Sequence, residues 1–229
     1  MGRPGDPELL RWGETLAAIA RTGLAFSASV FERERFEEVL RVAGDILAAA
    51  DGNVRSDERV VEWLRGVTPG MAGYVTPRVS VGALVGNDAG ELLLVRRPDS
   101  GAWLYPTGWA DVGYSAAEVA VKEVAEETGL AVEPERLVMV LDGLRIGQNR
   151  SPIYSLVFHC RLVGGELVSH PLECLDAGFF ARDALPEPLA GAGTWADHAF
   201  AAIAGEPVEV LFDRPRSPTW RRPERAPTA

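Results

Sequence analysis

The first seventy residues alternate apolar and polar positions at the helical interval. Leu9, Trp12, Leu16 and Ile19 recur at spacings of 3, 4 and 3, which places side chains on one face of an α-helix. Asp6-Pro7 supplies a capping side chain and a proline at the first helical position, and Gly23 is the predicted stop. A second stripe runs through Phe36, Val39, Leu40, Ala43, Ile46 and Leu47, with Glu34, Glu37, Glu38 and Arg41 off it. Asp51-Gly52-Asn53 breaks the pattern, and Glu58 to Arg65 predicts a short third helix before Thr68-Pro69-Gly70.

From about residue 73 the apolar positions follow the texture of strands. Val79–Leu84 and Glu91–Val95 read as two strands joined by the loop Gly86–Gly90. Further strands are predicted at Leu137–Leu141, Ile153–Leu162 and Gly178–Phe180, and a helix from Trp195 to Ala204 ending at Gly205. Strands and helices without regular alternation indicate an α+β chain or a mixed sheet sandwiched by helices. The chain thus divides into a helical segment at 1–72, a mixed segment at 73–213, and a tail at 214–229. The tail holds five arginines and four prolines in sixteen residues and is expected to lack a fixed fold.

Composition narrows the function. Apolar residues make up 47% of the 229, enough for a sizeable core, and no apolar run reaches the roughly 18 residues of a membrane span. The start, MGRPGDPELL, does not read as a signal peptide, and the two cysteines, Cys160 and Cys174, fit neither a disulfide framework nor a Cys-x-x-Cys metal site. A cytoplasmic protein is expected. The net charge of −10 argues against wholesale DNA or RNA binding, including by a helix-turn-helix in the first segment.

The chemistry concentrates in residues 106 to 130, PTGWADVGYSAAEVAVKEVAEETGL. Ser115 and Glu118 form a capping-box pattern, and Gly129 marks the helix end. Ala117, Ala120, Val121 and Val124 fall on one arc of that helix, and Glu123, Glu126 and Glu127 on another. Like charges at spacings of three and four each cost a helix about 0.2–0.5 kcal/mol. Lys122 relieves Glu126, and a hard divalent cation with oxygen ligands would relieve the whole arc. A solvated acidic face is the alternative reading of the same pattern.

This segment resembles the Nudix box, G-x5-E-x7-R-E-U-x-E-E-x-G-U with U aliphatic. With Gly108 as the first glycine, Glu123, Val124, Glu126, Glu127, Gly129 and Leu130 occupy their pattern positions. Tyr114 stands where the upstream glutamate belongs, and Lys122 stands in place of the arginine. GWADVG, AVKEV, and the run Thr22–Ser27 followed by Glu32–Glu38 are similar to a Nudix subfamily with an N-terminal helical domain. The resemblance implies a Nudix-type α/β/α sandwich with a mixed sheet behind a small helical domain. It implies hydrolysis, with Mg2+ or Mn2+, of a nucleoside diphosphate linked to another moiety, of the CDP-choline or ADP-ribose type. In that reading Glu123 and Glu127 are metal ligands, Glu126 a ligand or base, the Gly108 carbonyl an added ligand, and Glu173 a second candidate base.

Arg96 and Arg97 close the second strand, placed either to reach phosphate or to lie in solvent. Trp103, Tyr105, Trp109 and Tyr114 cluster beside the expected site as core or as stacking surfaces, Trp109 being the candidate for substrate. The partner expected is a small nucleotide, with a homodimer through the apolar stripes of the N-terminal helices as a second expectation. Two other readings stay open: a nucleotide sensor without turnover, and a nucleoside triphosphate pyrophosphohydrolase.

Overall fold

The computed structural model describes residues 7–67, 76–111, 113–145, 152–170 and 172–215. Asp6 and all but the first two residues of the tail lie outside the described residues. Three helices, α1 (Pro7–Phe26), α2 (Val30–Ala50) and α3 (Ser56–Arg65), open the chain. They close on a common core of Leu10, Ala17, Ala20, Leu24, Leu40, Ala43, Leu47 and Trp63. The stripe predicted for α2 is the one that packs, with Leu40, Ala43 and Leu47 buried.

The prediction for α1 needs two corrections. Its buried face carries Leu10, Ala17, Ala20 and Leu24, while Trp12 and Ile19 of the predicted stripe are 46% and 56% exposed. The packing is close because the contact face is made of small residues. Gly23 is likewise not a stop. A Cβ there would sit 2.3 Å from the Phe36 ring, so the glycine lets α2 approach and α1 runs on to Phe26. Ser29 then caps α2 by accepting a hydrogen bond from the Glu32 N–H.

The remainder is one mixed sheet with a helix on each face. Strands β1 (Arg78–Gly86), β2 (Leu92–Arg96), β3 (Trp103–Leu104), β4 (Thr107–Trp109), β5 (Leu130–Asp142), β6 (Ile153–Gly165), β7 (Asp176–Phe180) and β8 (Leu211–Phe212) alternate irregularly with α4 (Ala116–Thr128) and α5 (Ala196–Ile203). The order is β3-β2-β1-β6-β5-β8, with β4 added to β1 and β7 to β2. β1 runs parallel to β6 and antiparallel to β4. Its residues 81–85 are all buried because both faces of the sheet are covered. Val81, Ala83 and Val85 meet Val119, Ala120 and Val124 of α4. Leu84, Leu92 and Leu94 face Ala196, Ala199 and Phe200 of α5. This is the expected α/β/α sandwich.

β5 is much longer than the predicted Leu137–Leu141. It starts directly after Gly129 and passes Pro134 through register shifts against β6, and these breaks in alternation hide its first half from a period-two reading. β3, β4 and β8, of two or three residues each, carry too little pattern to be read.

Substituting Gly23→Ala should destabilise the protein by about 1–3 kcal/mol through overpacking. Urea denaturation will show this, and adding Phe36→Leu should recover most of the loss.

Candidate active site

The helix α4 is specified locally at both ends. The Ser115 hydroxyl accepts the Glu118 N–H, and the Glu118 carboxylate accepts the Ser115 N–H, completing the capping box. Gly129 ends the helix at φ 70°, a left-handed conformation available to glycine without strain. Val119, Ala120 and Val124 turn inward onto β1. Glu127, three residues after Val124, shares that inner side and is only 5% exposed.

Burial and like charge make Glu127 the anomalous group of the site. Burial raises its pKa most, Glu123 adds to the rise, and the Thr107 N–H and Arg97 oppose it, leaving it at about 8. One oxygen, Oε2, accepts the Thr107 N–H at 3.1 Å. Glu123 is also pushed up, first by burial, with Lys122 opposing and Glu126 and Glu173 adding. The carboxylate of Glu123 lies in the space over Gly108, where a Cβ would stand 2.2 Å from it. The first glycine of the box therefore leaves room for an acid beside its own backbone.

Glu173 is brought to this pair by backbone tethers. The Glu127 carbonyl accepts the His170 N–H at 3.1 Å and the Cys174 thiol at 3.1 Å, which fixes the segment on either side of Glu173 to the end of α4. Neither tether is visible in the sequence. Glu173 stands close enough to raise the pKa of both helix glutamates.

The other predicted residues separate. Glu126 lies to the side, bound to Lys122 at 3.0 Å, and Lys122 also reaches Asp111 at 3.1 Å. Of the three helix glutamates, Glu123 and Glu127 are the buried pair, while Glu126 is held outward by Lys122. Arg97 faces the site, donating to the Thr107 carbonyl at 3.4 Å while pairing with Asp99 at 3.2 Å. Arg96 instead donates to the Gly101 carbonyl at 3.2 Å, a loop contact. Trp109 is half exposed, with the Arg78 guanidinium 5.7 Å from its ring centroid. Trp103 and Tyr105 are core, in edge-to-face contact with Phe180 and Trp195, and Tyr114 is exposed. Asp111 is the residue the sequence reading missed, although it lies inside the GWADVG segment.

The donor set fits a hard divalent cation. It offers carboxylate oxygens and a backbone carbonyl, carries net negative charge, and includes a buried carboxylate with no ion-pair partner among the described residues. Those residues hold no group of three His, Cys, Asp or Glu already gathered as a metal site.

Residues 76–202 match the model of the NUDIX domain, and residues 7–63 match a domain described as UDP-X-like, N-terminal oligomerisation. The chain belongs to the Nudix hydrolase family. Across 179 residues it is 34% identical to YjhB of Bacillus subtilis, a candidate ADP-ribose pyrophosphatase, covering 77% of this chain and 82% of that one. A solved UDP-X diphosphatase is 30% identical at a TM-score of 0.54, covering 90% of this Nudix chain and 98% of the other. An ADP-ribose pyrophosphatase from Streptococcus suis is 37% identical at a TM-score of 0.52, covering 60% of this chain and all of that one.

Without metal, Glu127→Gln should stabilise the protein at alkaline pH. The folded pKa of Glu127, about 8, lies above its ordinary 4.5, so the stability contributed by its protonation is present below 4.5 and is lost as pH rises through 8. Melting curves in chelator should show the variant above wild type by a few kcal/mol near pH 9, converging with it near pH 4.

Proposed function

We propose that this Nudix hydrolase uses a divalent cation, Mg2+ or Mn2+, to cleave the pyrophosphate bond of a nucleoside diphosphate linked to another moiety. The observation that carries this is the buried Glu127 one turn from Glu123, since two such carboxylates ionise together at low cost only beside a cation. Relatives named for ADP-ribose and UDP-X support the linked-diphosphate class, and CDP-choline belongs to the same chemistry. A sensor without turnover is the weaker reading, because the carboxylates that hydrolysis requires are present.

The roles follow from position. Glu123, Glu127 and the Gly108 carbonyl would hold the cation, which when bound neutralises phosphate charge and acidifies water. Glu173, on its tethered segment, accepts a proton from the attacking water. A new P–O bond forms, the bridging P–O bond breaks with its electron pair leaving on the second phosphate, and two phosphomonoesters result. Arg97 supplies positive charge toward the phosphates, and Trp109 offers a face for stacking. Lys122 holds Glu126 and Asp111 in place at the outer side, so Glu126 takes a supporting part. Arg96, bound to its own loop, is not assigned to substrate.

The N-terminal helices are proposed to form the contact of a homodimer, and residues 1–72 and 73–213 to act as two domains. Trp12, Ile19 and Phe26 recur every seven residues along α1 and are 46%, 56% and 60% exposed among the described residues, an apolar line on the surface of the helix. Sedimentation should show a dimer for the wild type and a monomer for Phe26→Asp.

Glu127→Gln and Glu123→Gln should each lower kcat/KM for ADP-ribose or a UDP-sugar with Mg2+ by at least about 100-fold. Glu173→Gln should lower kcat by about 10²–10⁴-fold if it serves as the base. Product analysis by phosphorus NMR checks both, and release of inorganic pyrophosphate from a triphosphate in preference to this cleavage would overturn the assignment.

A further inference from the structure

A recess of about 510 Å³ opens where α1 and α3 meet the ends of β1, β5 and β6, a volume suited to a small ligand. Four arginines line it, together with Glu14, Glu62 and Asp142, in a chain that carries −10 overall. Two of the four have carboxylate partners. Arg11 pairs with Glu8 at 3.3 Å, and Arg59 pairs with the buried Glu14 at 2.8 Å and with Glu62 at 2.7 Å.

Arg21 and Arg78 have no carboxylate partner among the described residues. Arg21 donates to the Ala17 carbonyl of its own helix at 3.3 Å and lies 5.9 Å from the Trp63 ring centroid. Burial lowers its pKa most, Glu14 opposes this, and Arg59 and Arg78 lower it further. Arg78 stands at the rim over Trp109. The Asp142 carboxylate, also on the wall, accepts the N–H groups of Leu144 and Arg145. Because Arg59 holds two acids, the wall and its partners come close to neutral overall, and Arg21 and Arg78 are the two guanidinium groups left without an ion pair among the described residues. A guanidinium without an ion pair is a fork that binds a carboxylate in two-pronged fashion.

The recess and the glutamate site share strand β1. Ser80 pairs with Trp109 and Val81 with Gly108 across the β1–β4 ladder. Arg78 is therefore three residues, about 10 Å, along β1 from the position facing Gly108, and Gly108 faces Glu123. Among the described residues β4 pairs with β1 alone.

We propose that this recess receives a carboxylate carried by the moiety linked to the diphosphate, with Arg21 and Arg78 as its specificity-determining contacts. The proposal rests on the linked-diphosphate reading above and names a substrate class within it, diphosphates joined to an acidic group.

UDP-glucuronate and UDP-glucose differ in a carboxylate against a hydroxymethyl group and make the test pair. Wild type should favour the acid by tenfold or more in kcat/KM, and Arg21→Met and Arg78→Leu should each cut that ratio at least fivefold. Equal treatment of the two nucleotides by wild type, or a ratio unmoved in both variants, overturns the proposal. If neither nucleotide is hydrolysed, the hydrolase reading fails for these substrates, and calorimetric binding in chelator still decides the recess. Tighter binding of the acid that is lost in both variants supports the site, and equal binding overturns it.

Discussion

The structure turns on one buried carboxylate. Glu127 lies on the inner side of α4, where the neighbouring turn carries Val124, and a second acid, Glu123, stands one turn back. Taking an ionised carboxylate out of water costs several kcal/mol unless it is paired or hydrogen-bonded. The chain provides one backbone hydrogen bond from Thr107 and the distant charge of Arg97. The helix is otherwise well made, with both caps in place, so the local sequence holds the acids in an arrangement they would not adopt for stability. Such a strain on ionisation is a feature of functional sites.

The elements around α4 make that arrangement permanent. β4 lies against β1 so that the glycine of its central position leaves room for the Glu123 carboxylate. The segment before β7 hooks onto the Glu127 carbonyl of α4 through His170 and Cys174, which holds the stretch bearing Glu173 against the end of the helix. The buried thiol thus has a mechanical part, consistent with a pKa raised chiefly by burial. On the outer side, Lys122 ties Asp111 to Glu126 and joins the loop to the helix. This is an electrostatic brace on the surface, where the lysine lacks the two-pronged geometry of an arginine.

The helical segment is attached to the sheet by packing as well as by chain. Leu144, from the turn after β5, enters the core of α1, α2 and α3. The recess between the two layers is walled on one side by α1 and α3 and on the other by strand ends that lead toward β4. A helical layer seated this way can take part in ligand selection while its outward line of Trp12, Ile19 and Phe26 remains available for a second copy. The two uses lie on adjoining faces of α1, with Ile19 at the edge of the recess.

Local chemistry was readable from the amino-acid order. The capping box, the left-handed glycine, the α2 stripe and the arc of glutamates each depend on residues within one or two turns of each other, and such short-range geometry follows from spacing alone. The α1 face was misread for a related reason. Periodicity ranks residues by apolarity, but close helix packing selected glycine and alanine and left the larger side chains outside. What needed the tertiary structure was everything set by distant segments: which of the helix acids are buried, that the segment bearing Glu173 is tethered to the end of α4, that Arg97 turns in while Arg96 turns away, and that Arg21 and Arg78 share a recess. Burial decides each of these, and burial is a property of the whole chain folded around a residue rather than of its neighbours in sequence.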